Sequence, residues 1–331
     1  MQTPLTRDAH IDFPLLCGAM YPCTNPELVA AVSGAGAMGI VQPMSLAYVH
    51  GRDFKGGLAR IKSLTSRPFG MNLIIEKSSK LYENRARAWL DEALETGVRF
   101  FVTALGDPKW VVEKVHAVGG VVYHDVTERK WAEKAVGRGV DGLICVNRDA
   151  GGHAGGRTPE ELFEALASLG KPLVCAGGVG KPADFARMLA LGYAGVQLGT
   201  RFIATHECTV HDDYKQAILR ARASDIVLTD RISGVPCAII NTPYVQKLGA
   251  RAGFIARQLL RHPRTKHLMR SYYGVMSIFK LRRAALGGSA YKDYFQAGKS
   301  VEGIDRIEPA AEVVRSFAAA VDGASAVTTR A

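Results

Sequence analysis

Eight short apolar runs, each followed by an amphipathic stretch, fill the first two-thirds of this 331-residue chain and predict an α/β fold, a closed (β/α)8 barrel with a helical C-terminal insert. Two further features favour closure over an open, doubly wound sheet. The alternation passes through eight units without a compositional break, and the runs are apolar throughout, as befits strands covered on both faces.

The candidate strands are PLLCGA (14–19), AMGIVQ (37–42), FGMNLII (69–75), FFVTAL (100–105), VVYHDV (121–126), GLICVN (142–147), PLVCAGG (172–178) and GVQLGT (195–200). Helices are expected at about 26–34, 55–64, 83–96, 109–117, 128–138, 159–169, 182–191 and 211–222. Asn25, Asp107 and Thr158 each precede a proline, pairing a capping residue with a first-turn proline. Gly97, Gly119, Gly139, Gly170 and Gly192 stand where helices should stop. The rhythm breaks after about residue 224. The expected division is therefore a barrel over 1–224, a mostly helical substrate-side insert over 225–300, and a closing segment over 301–331. Within the insert PCAIINTP (236–243) reads as a short extended piece, and the closing segment as a helix near 308–321 followed by a frayed tail, ASAVTTRA.

Hydrophobic residues at 47% and charged residues at 22% suit an ordinary water-soluble globular protein. No run approaches the ~18–20 uninterrupted apolar residues of a membrane span, and MQTPLTRDAH lacks the apolar core of an export signal. Six scattered cysteines with no C-x-x-C pair read as reduced structural thiols, which points to the cytoplasm. The formal charge of +11 is uneven: from Lys247 to Arg283 basic residues dominate and no acidic residue appears. That segment suits a solvated basic face or a rim attracting an anionic small substrate. It has no base-reading motif, so nucleic acid is not an expected partner, nor is a membrane; a homo-oligomer is left open.

Chemistry in a barrel sits on the loops after the strands. Gly177-Gly178 follow the seventh strand and Gly199-Thr200 the eighth, the pair of loops that holds a phosphate in barrels of this kind. Tight turns alone would also need such glycines. In CGAM (17–20) small residues leave room for a planar group over Met20, and Asn72 ends the third strand, where its amide could read a heterocycle edge. In NRDAGGHAGGRT (147–158) four glycines surround His153 after the sixth strand, where an imidazole can take or give a proton near neutral pH. His124 ends the fifth strand and is a second ligand-contact candidate, whereas His206 and His211 read as surface or cap residues. No metal-ligand spacing, G-x-S-x-G elbow or P-loop is present.

CGAM, PFGMNL, DAGGHAGG, CAGGVG and QLGTRFIATHEC, in that order, resemble the motifs of the nitronate monooxygenase (2-nitropropane dioxygenase) family over most of residues 10–220. YFQAGKSVEGI (294–304) resembles the family's closing element. The resemblance implies a TIM barrel binding FMN non-covalently. Carried over by matching positions, its pocket comprises Ala19, Met20, Asn72, His124, Ala150, Gly151, Ala176, Gly177, Gly178, Leu198, Gly199 and Thr200, closed by Gln296, Gly298 and Lys299. His124 stands where many relatives have lysine, and His153 aligns with the catalytic histidine.

The implied activity is oxidation of alkyl nitronates, or of nitroalkanes after proton removal, by O2 to a carbonyl compound and nitrite. A rival within the superfamily is an FMN-dependent NAD(P)H reductase, similar to flavin-type enoyl-acyl carrier protein reductases or NADH:quinone reductases. The basic segment would then dock an acidic carrier protein or dinucleotide phosphates. A flavin-free phosphate-binding barrel, in which His153 is structural, is a third reading.

Overall fold

Side chains along each strand alternate between two apolar layers, and that alternation builds the molecule. The computed structural model describes residues 1–51, 53–76, 80–251, 266–288 and 294–328. Its strands are β1 (Leu15–Cys17), β2 (Met38–Val41), β3 (Gly70–Ile74), β4 (Phe100–Ala104), β5 (Val121–Val126), β6 (Gly142–Val146), β7 (Leu173–Ala176) and β8 (Gly195–Leu198). All eight are parallel, and the barrel closes because β1 pairs with both β2 and β8. Leu16, Met38, Ile40, Phe100, Val102, Tyr123, Ile144 and Val174 fill the lumen. Their neighbours Leu15, Cys17, Val41, Phe101, Val122, Leu143, Cys175 and Val196 pack outward beneath the helices.

A helix the sequence did not announce, Pro4–Ala9, caps the lumen's amino-terminal end with Leu5 and Ala9. Gly195 permits it: a Cβ there would run into the Leu5 side chain and lie 2.6 Å from the Pro14 carbonyl oxygen. The Tyr123 hydroxyl donates to Asp8 Oδ2 at 2.7 Å, which satisfies the polar end of this lumen-filling ring.

The eight expected helices are all present, with boundaries within three residues. Thr158 and Glu161 form a reciprocal capping box on Pro159–Ala167. Asn25 does not cap its helix; its amide donates instead to Glu27 Oε2 and the Glu207 carbonyl. The five helix-stop glycines all have left-handed φ, from 67° at Gly170 to 113° at Gly192.

The insert carries the expected helices and, beside them, a hairpin. It opens with an antiparallel hairpin, β9 (Ile226–Thr229) and β10 (Cys237–Ile240), followed by the helices Pro243–Leu248 and Lys266–Gly287. Only β10 was foreshadowed. Part of the basic segment, 252–265, lies outside the described residues. The closing helix Ala310–Thr328 takes in residues 324–328 of the expected frayed tail, because AAAVDGASAVT continues the helical pattern. Its approach is pinned by Arg201, just after β8, which donates to Glu308 Oε1 at 2.9 Å and to the Arg306 carbonyl at 3.1 Å. Arg201 is 3% exposed, so this ion pair is internal.

Among the described residues no helix is long and apolar enough to cross a membrane, and no group of His, Cys, Asp or Glu could hold a metal. All six cysteines are free and buried.

Candidate active site

The loops after β6 and β7 are bound to one another through Asn147. Its Oδ1 accepts from the Asp149 amide at 2.9 Å and its Nδ2 donates to the Gly177 carbonyl at 3.0 Å. Packing at this junction explains part of the glycine content. A Cβ on Gly177 would lie 2.5 Å from the Ala150 amide nitrogen, and one on Gly155 would lie 2.5 Å from the Val146 carbonyl oxygen. The closing segment comes equally near, since a Cβ on Gly298 would meet the Asp149 carbonyl oxygen at 2.5 Å. Three stretches distant in sequence thus meet backbone to backbone at the mouth.

His153 stands on the solvent side of this junction, with its Nε2 2.8 Å from Ser233 Oγ. Desolvation lowers its pKa below the usual 6.5. The imidazole is therefore neutral at pH 7. Ser233 belongs to the turn between β9 and β10, and Gly152 bridges β10 through Ala238 N to Gly152 O (2.6 Å) and Gly152 N to Ala238 O (3.3 Å). Sequence reasoning missed Ser233, which lies 80 residues away in a region of poor family resemblance.

Most of the expected flavin set gathers around the same mouth. Ala19 and Ala176 pack on the lumen layer, and Met20 Sδ lies 3.4 Å from where a Gly199 Cβ would be. Asn72 turns inward between the outward Met71 and Leu73, and donates to the Val102 carbonyl at 3.3 Å. Ala150 and Gly151 abut Gly298, whose amide donates to Thr200 Oγ1 at 3.0 Å. Gly177 and Gly178 have φ of 115° and 77°. Gln296 directs its Nε2 to Cys237 Sγ at 3.0 Å. Lys299 Nζ pairs with Asp149 Oδ1 at 2.8 Å.

Two members of the set are placed differently. His124 lies on the outward face of β5 with Val122 and Val126, and its Nδ1 is 2.8 Å from Thr103 Oγ1. Burial among the helices pushes its pKa down to about 4. It is a satisfied histidine of the helix layer, not of the mouth. Leu198 likewise turns its side chain outward, and its carbonyl accepts from the Gly18 amide at 2.9 Å. Of the histidines read as caps, His211 does cap Asp212–Arg220, accepting from the Asp213 amide at 3.1 Å.

The residue the β5 phase turns inward is Asp125, beside Tyr123 on the lumen face. Its Oδ1 is buried without a hydrogen-bond partner among the described residues, and desolvation pushes its pKa up to about 7. An acceptor left open inside the mouth fits a planar ligand with an N–H edge, as a flavin has. The consecutive left-handed glycines after β7 and the helix Pro182–Leu191 behind them fit its phosphate. The residues present therefore suit FMN.

A parallel barrel with this mouth defines a phosphate-cofactor barrel enzyme. The sequence profile of the nitronate monooxygenase family matches residues 2–319, and the chain belongs to that family. It is a flavin-dependent oxidoreductase with FMN as its cofactor. The chain is 30% identical to the (3aS,4S,5R,7aS)-5-hydroxy-7a-methyl-1-oxo-octahydro-1H-indene-4-carboxyl-CoA dehydrogenase of Mycobacterium tuberculosis, over 77% of this chain and 72% of that one. It is 28% identical to the nitronate monooxygenase of Pseudomonas aeruginosa, over 71% and 78%. Among solved structures it is similar to FabK from Thermotoga maritima, with a TM-score of 0.82 and 26% identity over 99% of both chains.

Proposed function

We propose that the protein is an FMN-dependent oxidoreductase that exchanges hydride with NAD(P)H on one side and with a thioester-activated acyl substrate on the other. The observation that carries this reading is the 30% identity to dehydrogenases of a carboxyl-CoA thioester from two organisms, against 22–28% for the nitronate monooxygenases it is similar to. The mouth agrees. His153 is neutral, and the ammonium of Lys299 is already paired with Asp149, so the expected residues offer an anionic nitronate no uncompensated cation.

When bound, FMN supplies the hydride acceptor and donor. Met20, Asn72, Gly177, Gly178, Gly199 and Thr200 would hold it, with Ala19, Ala150, Gly151, Ala176, Gln296, Gly298 and Lys299 enclosing it. His153 would hold or return the proton that accompanies hydride transfer. We place the substrate side on the 225–300 insert. The helix Lys266–Gly287 carries five lysines and arginines and no acidic residue, and it docks at the mouth where the Tyr21 hydroxyl donates to the Ile278 carbonyl at 3.1 Å. Such a helix suits the phosphates of a coenzyme A or carrier-protein thioester. The six free cysteines support a reducing, cytoplasmic setting.

Nitronate oxidation with O2 is the second reading, favoured by the Pseudomonas aeruginosa relative. Anaerobic mixing separates the two. Bleaching of the flavin by NADH or NADPH, with colour restored by an enoyl-CoA, supports the first; bleaching by a nitronate alone supports the second.

A further inference from the structure

Ser233 Oγ stands between His153 Nε2 and the Val235 carbonyl. Val235 O is a carbonyl and can only accept, and it lies 3.1 Å from Ser233 Oγ. The single hydroxyl hydrogen of Ser233 can go to Val235, which leaves an oxygen lone pair for the ring. In that arrangement the ring nitrogen 2.8 Å from Oγ carries the hydrogen.

We propose that Ser233 is a positioning residue for His153: it fixes the imidazole in the Nε2-protonated tautomer and leaves Nδ1 as the atom that takes or returns the substrate's proton. This rests on the reading of His153 as the proton-handling group. In that polarity the Ser233 proton points away from the ring, so His153 does not activate it as a nucleophile.

The turn that carries Ser233 is held on several sides. Gly234 N donates to the Asp230 carbonyl at 3.0 Å, the Arg231 guanidinium donates to the Leu248 and Gly249 carbonyls, and Lys280 Nζ donates to the Arg231 carbonyl at 3.0 Å. The two-bond bridge between Gly152 and Ala238 then fixes the spacing between turn and glycine loop. The charged groups of the elements that meet here are Arg148, Asp149 and Arg157 on the loop, Lys299 on the closing segment, Asp230 and Arg231 on the turn, and Lys280 on the helix behind it. None of them shifts His153, whose pKa is lowered by desolvation alone. The Ser233 acceptor is thus the specific polar partner of the ring, and it stabilises the imidazolium more than the neutral form.

The test uses the flavin-loaded enzyme with ring-15N histidine, His153 being assigned by the signal lost in His153→Asn. The expected result is an Nε2–H tautomer for His153 in the parent and in Ser233→Thr, and a mixed tautomer in Ser233→Ala. In Ser233→Ala the acid limb of kcat/KM moves to lower pH by about half a unit to one unit. Its kcat falls roughly tenfold with KM little changed, and Ser233→Thr restores both. An Nδ1–H tautomer in the parent overturns the proposal without any variant needing to fold. An unchanged tautomer and pH profile in a flavin-retaining Ser233→Ala overturns it as well. Absence of flavin reduction by NAD(P)H would defeat the proposed reaction while leaving the tautomer result standing, so the two failures are told apart.

Discussion

His153 and Asp125 are the two titratable side chains at the mouth whose surroundings move them in opposite senses. Desolvation lowers the imidazole and raises the carboxyl, so near pH 7 the first is neutral and the second half-protonated. Replacing His153 by Asn should leave the flavin spectrum intact and reduce turnover by about 10²–10⁴-fold, as steady-state kinetics would show. Asp125 makes a stability prediction with a definite sign. Its folded pKa of about 7 lies above the ordinary 3.8, so between those values the folded chain holds more protons than the unfolded one, and stability falls as pH rises. Asp125→Asn should therefore stabilise the flavin-free protein by about 1–3 kcal/mol at pH 8 and change it little near pH 4, read from urea midpoints.

His153 was legible in the sequence because its glycine setting is local. Asp125 was not, because VVYHDV gives no polar alternation to fix which residues face the lumen, and a one-residue phase exchanges His124 for Asp125.

At the scale of elements, the glycine loop, the β9–β10 hairpin and the closing segment form one unit tied by backbone. The eight strands and their helices could be read from the chain because capping residues and stop glycines act within a few positions. The hairpin could not, since β9 is a four-residue run whose partner and whose contact with Gly152 lie far along the chain. Arg201 shows how a motif residue can serve the fold rather than the ligand. It lies in the GTRF stretch, yet its guanidinium is directed to Glu308 and the Arg306 carbonyl. Glu308→Ala would leave that cation buried and unpaired. It should cost about 3–5 kcal/mol in denaturant unfolding, far more than loss of an exposed pair such as Lys109–Glu113.

At the scale of the whole molecule, the barrel supplies a rigid rim on which three distant loops converge, and the insert brings Ser233 against His153 there. Family membership and cofactor follow from the fold, the motifs and the full-length match. The reaction rests on finer features: a neutral imidazole, a lysine already paired, and a basic helix beside the mouth. The sequence motifs alone pointed first to nitronates, because the AGGH loop and GTRF strand are shared by oxidases and reductases alike. The most direct measurement is anaerobic stopped-flow absorbance of the FMN-loaded enzyme mixed separately with NADH, NADPH and an alkyl nitronate. The account predicts bleaching by one of the pyridine nucleotides and recovery of the yellow form on adding an enoyl-CoA thioester. Bleaching by the nitronate alone, with both nucleotides inert, would contradict it.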